Sequence, residues 1–150
     1  MMAEALAVVG LGASIVAFLD VGAKVLARLR EFNSITKEAS GVYQNISVQL
    51  PLIIDIMTRI EKGCKDGSLT PDAQRALSHT VEGSLRQITM LDGLIKKILP
   101  ASTDSTLQRA RKAIASVRKG KDVVVIMTTL EAYKSTLTLH FSQRSGGSYR

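Results

Sequence analysis

Few side chains in this 150-residue chain stand where chemistry would need them. Its two histidines, His79 and His140, are far apart in sequence, and Cys64 is the single cysteine. That leaves no internal disulfide and no clustered donors of the spacing that zinc or haem demands. Gly10-Leu11-Gly12 begins like a dinucleotide fingerprint, but the third glycine is missing and no strand precedes it. Ser34/Lys37 and Ser116/Lys119 fit S-x-x-K without any of the companion motifs that give that spacing meaning. A Walker phosphate loop is absent as well. The expectation is a protein that is not an enzyme and carries no metal or cofactor.

Charge is more informative, because it is uneven. Residues 1–75 hold eight Lys/Arg against eight Asp/Glu, so the whole net charge of +7 falls in residues 76–150. Within that half Arg109, Arg111, Lys112, Arg118, Lys119 and Lys121 occupy 13 positions with no acid among them. Such a block attracts phosphate, from anionic lipid headgroups or nucleic acid, unless it is simply a solvated helix face. Anionic membrane lipid is the expected partner, and nucleic acid is not.

The most distinctive stretch is residues 5–19, ALAVVGLGASIVAFL, without a single charge. A secretory signal is disfavoured, since Glu4 precedes it and no Lys or Arg does. As a helix, 15 residues reach about 22 Å, short of the ~30 Å hydrocarbon core of a bilayer. Two readings remain. The segment is a central helix wrapped by the others in the resting fold, or it is released into a membrane once an activating event offsets the lost packing. In the second reading Leu6, Val8, Val9, Leu11, Ile15, Val16, Phe18 and Leu19 form the membrane or oligomer surface, and Glu4 and Asp20 flank it.

The elements that would position these residues are all helical, because apolar spacing follows a helix throughout and never alternates. The first helix spans roughly residues 3–32. Gly10 and Ser14 offer a close approach to a neighbour, and beyond Asp20 the inward side narrows to Val21, Val25, Leu29 and Phe32. A second helix, about 34–62, turns Tyr43, Ile46, Leu50, Ile53, Ile54, Met57 and Ile60 inward, with a kink or break expected near Gln49 from Pro51. Thr70-Pro71-Asp72 starts a third, with Leu77, Val81, Leu85, Ile88, Leu91, Ile95 and Ile98 inward and Pro100 at its end. Thr103 or Asp104 would cap a short fourth helix whose inner side is Leu107, Ala110, Ile114 and Val117, broken at Gly120. The fifth carries Val123, Ile126, Met127, Leu130, Tyr133 and Leu137. The fold class is therefore all-α, a single antiparallel bundle of about five helices over residues 1–142, with 143–150 a flexible tail or linker.

Several separated blocks resemble a known family. The opening MAEALAVVGLGASIVAFLDVGAKVLARLREF looks like the start of the N-terminal domains on fungal NACHT and other P-loop NTPases, the NLR-like STAND proteins. Val48-Gln49-Leu50-Pro51-Leu52-Ile53-Ile54-Asp55 is similar to that family's QLPLLID stretch. Val81-Glu82-Gly83, Leu91-Asp92, Lys97-Ile98-Leu99-Pro100, the basic run before Lys121 and Thr136-Leu137-Thr138-Leu139-His140 match the pattern too, so the likeness covers roughly residues 2–141. This is the SesA or HeLo-like group. The resemblance implies a helical effector domain of fungal immunity, incompatibility or programmed cell death. Such a domain would work with a NACHT or P-loop NTPase module in cis or in trans and oligomerise with itself on activation. It would be cytoplasmic and move to the plasma membrane when its apolar first helix, residues 2–19 here, is exposed. The rival implication is a soluble interaction module that recruits a downstream effector and never inserts.

Overall fold

The chain punctuates its helices with local chemistry. Thr70, extended at φ −68° and ψ 159°, accepts a hydrogen bond from Ala73 N through its hydroxyl, and Pro71 takes the first helical position, where a missing N–H costs nothing. At the far end Leu99 returns to extended backbone ahead of Pro100 while its N–H still bonds Ile95 O at 3.0 Å. The computed structural model describes the backbone of residues 2–35 and 41–146, and the side chains of 10–34 and 41–142. Those residues form α1 (Met2–Ile35), α2 (Gly41–Lys65), α3 (Pro71–Ile98) and α4 (Thr106–Gly146), with no strand among them.

Four expectations change here. First, of the kink or break expected from Pro51 the break does not occur: α2 runs on through it. Loss of one N–H and the ring clash cost about 3 kcal/mol, which full burial of Leu50, Ile53 and Met57 around it outweighs. Second, there are four helices among the described residues instead of about five, because α4 continues through Gly120 for 41 residues. A glycine costs a helix only about 1 kcal/mol relative to alanine, too little to stop one this long. Third, the cap differs. Ser105 Oγ accepts from Gln108 N at 3.2 Å and Gln108 Oε1 accepts from Ser105 N at 2.8 Å, a reciprocal capping box, while Asp104 turns back to Ala101 N. Fourth, the backbone stays helical to Gly146, and residues 147–150 of the expected tail lie outside the described residues.

The helices sit at the corners of a square. α1 packs on α2 and α3, α4 packs on the same two, and α1 and α4 occupy opposite corners. Phe32 meets Tyr43 edge-on at 5.4 Å, setting the end of α1 against the start of α2. Close approach does not use Gly10 or Gly12, where an added Cβ would meet nothing within 4 Å. It uses Gly22, 3.3 Å from Ile54 Cδ1 by the same measure, and Gly83, 2.9 Å from the Tyr133 ring. The turn after α2 rests on Gly67 at φ +77°, a conformation glycine adopts without steric cost.

Two helices bury less than their sequences suggest. Among residues 10–34, α1 turns one stripe to the core, Leu11, Ile15, Phe18, Gly22, Val25 and Leu29, at alternating spacings of four and three. It is a corner helix, not a central one, and Val16 on its outer side is 56% exposed. In α4 the expected inner side of the first half faces outward: Leu107 is 61%, Ile114 60% and Val117 86% exposed, and Ala110 is exposed too. Burial begins at Val123 and continues through Ile126, Met127, Leu130 and Leu137.

Denaturant unfolding should separate the two faces of α4. Leu130→Ala is expected to cost about 2–5 kcal/mol as a cavity-forming change, whereas Ile114→Ser and Val117→Ser should each stay within about 0.5 kcal/mol of the parent.

Candidate functional site

The described residues show an outward apolar row on α4 and a set of polar ties that fasten α1 to its neighbours. Around α1, Leu11, Ile15 and Phe18 are wholly inside the core, Leu19 is half-buried against it, and Val16 is outside. Asp20 is exposed and pairs with Lys24 at 3.2 Å. The side chains of Glu4, Leu6, Val8 and Val9 lie outside the described residues. Gly10–Ser34 is long and apolar enough to cross a membrane by length and composition, a property that core helices of soluble proteins share.

Among the described residues two polar contacts hold α1 to the rest of the bundle, and sequence spacing did not single them out. Asp92 on α3 is buried, with Lys96 Nζ 2.9 Å from Oδ2 and Arg28 Nε of α1 3.8 Å from Oδ1, which has no hydrogen-bond partner. A signal was available: Asp92 is four residues after Ile88 and next to Leu91, so the inward spacing of α3 carries it toward the core. Near the end of α1, Glu31 Oε1 accepts from both the N–H and the hydroxyl of Ser102 at 2.9 Å. These bonds hold the Glu31 carboxyl below the usual carboxylate range.

The basic run divides by position. Arg109, Arg111, Arg118, Lys119 and Lys121 are exposed. Lys112 is withdrawn: it pairs with Asp104 at 2.5 Å, only 20% of its side chain is accessible, and it holds the Asp104 carboxyl low. Tyr43 and Ser116 share a hydroxyl contact of 3.1 Å that ties this part of α4 to the start of α2. Between α3 and α4 an open groove of about 440 Å³ is lined by Met90, Gly93, Leu94, Lys97, Asp122 and Val125 among others.

Catalytic or metal-binding geometry is not among these features. His79 and His140 are exposed, and no cluster of three His, Cys, Asp or Glu among the described residues could hold a metal ion. Cys64 is half-buried, and burial, with Glu61 and Asp66 nearby, pushes its thiol pKa up, away from the reactive thiolate.

The described residues thus form an all-helical bundle with an outward apolar row on α4 and polar ties at α1. Residues 13–137 match SesA, an N-terminal domain on NACHT NTPases and P-loop NTPases, and the chain belongs to this family. No curated protein and no solved structure matches it.

The lowered carboxyls give the fold a pH dependence of definite sign. Glu31, Asp66 and Asp104 each titrate below their ordinary values of 4.5, 3.8 and 3.8 in the folded chain. Their contribution is complete above those ordinary values and is lost as pH falls through the lowered ones. Thermal unfolding should therefore show a Tm that is flat from neutral pH to about 5 and falls below about 4. Glu31→Gln should make that fall shallower.

Proposed function

We propose that the chain is a non-enzymatic signalling effector domain that a NACHT-type NTPase module clusters, and that its output is membrane damage by α1 leading to cell death. The observation that carries the reading is the one-sided burial of α1. Its outer side holds no more than a corner position, and its length and apolarity suit a bilayer. Family membership supports the signalling role and the NTPase partner.

Energetics sets the conditions. Five side chains, Leu11, Ile15, Phe18, Val25 and Leu29, are fully buried by α1. Returning them to water costs about 8–15 kcal/mol at 1.5–3 kcal/mol each, as much as the whole stability of an ordinary domain. An isolated domain thus keeps α1 in place. Release must be concerted with transfer of the same surface to lipid or to neighbouring α1 helices, and clustering supplies the neighbours. The net charge of +7 draws the cluster toward anionic lipid, within a Debye length of about 8 Å at physiological salt.

A second reading, a soluble interaction module, is favoured by one observation: the outward apolar face of α4, which points away from α1 and has no partner within the bundle.

The test is dye release from vesicles containing anionic lipid, with the chain fused to an inducible oligomerisation tag. Release should appear on clustering, decline with added salt and drop several-fold in Val16→Glu, an exposed substitution that spares the core. Clustered, folded protein that leaves the vesicles sealed would overturn membrane damage as the output and leave the recruiting role.

A further inference from the structure

The outer face of α4 has an order that a solvated helix does not need. Leu107, Ala110, Ile114, Val117, Lys121 and Val124 follow one another at spacings of three, four, three, four and three, the seam of a heptad repeat. At about 100° per residue this seam lies roughly opposite the side formed by Val123, Met127, Leu130 and Leu137 that enters the core. α4 is thus apolar on two opposed sides, and only one of them is used. None of residues 106–122 is buried outright, but the side of this half opposite the seam rests on the bundle, with Ser116 on Tyr43, Lys112 on Asp104 and Ala115 against the core, which leaves the seam facing outward.

Charge selects the occupant. With Leu107 as the first heptad position, Arg111 and Arg118 take the two successive positions along one edge of the seam, where coiled coils choose partners by opposite charge. Both are exposed, Lys121 sits in the seam, and no acid lies between Thr106 and Lys121. A second copy fits poorly: paired parallel, Lys121 meets Lys121, and paired antiparallel, the Arg111 and Arg118 edges meet. A bilayer fits poorly as well. The seam is one narrow row without an aromatic, unlike the broad Trp- and Phe-bearing face of interfacial helices. It also points away from α1, so one membrane plane could not receive both in the resting bundle. A helix is accommodated further along, because Val125, 63% exposed, passes the seam into the α3–α4 groove beside Met90 and Gly93.

We propose that residues 107–125 of α4 are the docking surface for an acidic amphipathic helix of a partner protein, packed along the heptad seam with its Asp or Glu side chains on Arg111 and Arg118. The proposal deepens the interaction reading and is independent of membrane entry by α1.

The probe is a synthetic 21-residue helix with Leu at the a and d positions and Glu at e and g, compared with a scrambled peptide of identical composition and with a version bearing Lys at e and g. Fluorescence anisotropy on the intact chain should give micromolar binding to the Glu helix and at least tenfold weaker binding to the other two. Ile114→Ser/Val117→Ser should lose tenfold or more, and Arg111→Glu/Arg118→Glu should reverse the preference toward the Lys helix. All four positions are exposed, so circular dichroism should be unchanged. Equal binding of scrambled and ordered peptides would overturn the proposal, as would wild-type dimerisation abolished by Val117→Asp. So would cosedimentation with anionic vesicles that depends on Ile114 and Val117 while the Glu helix fails to bind. Vesicle leakage by clustered protein is read separately, and its failure leaves peptide binding as the measure of this surface.

Discussion

A straight helix can turn only one side toward a given core, and most of what is distinctive in this bundle follows from that restriction acting on α4. Its two apolar rows lie about half a turn apart in a rod that Gly120 does not interrupt. The C-terminal half carries enough buried volume, from Val123 to Leu137, to fix the rotation of the whole helix. The N-terminal half must follow, and its Leu, Ile and Val side chains are carried outward however apolar they are. Had the helix broken at Gly120, each half could have turned independently and both rows would have found the core.

The same reasoning sets α1 apart. Its sequence is apolar on all sides between residues 5 and 19, yet among the described residues it buries fully just the row beginning at Leu11. What remains outside is tolerated because α1 is anchored by more than grease: Arg28 reaches Asp92 and Glu31 receives Ser102. Such ties give position more than free energy, since a partly exposed ion pair adds little and a buried carboxylate is costly to desolvate.

How much of this was legible beforehand depended on whether local chemistry or global rotation decided the matter. The start of α3 at Thr70-Pro71-Asp72 and most of the inward positions of α2 and α3 could be read from residue types and spacing, because capping and amphipathicity are local. The family likeness was readable from its blocks, and the match over residues 13–137 agrees with it. As helix breaks, Pro51 and Gly120 were misleading, because each carries a penalty of a few kcal/mol at most, which burial elsewhere in a long helix outweighs. The outward α4 seam was misread for the same cause: reading two helices gave each row its own core. The Asp92 and Glu31 ties join residues about 64 and 71 positions apart, a separation over which spacing rules carry no information.

The short segment between α3 and α4 gains a mechanical meaning from its bonds to Glu31. It is the covalent joint between α3 and the first half of α4, and its Ser102 is fastened to the last turns of α1. A pull on the first turns of α4 is thus borne by this fastening together with the Tyr43–Ser116 contact, so a load on the outward seam is passed to the helix with the greasiest sequence.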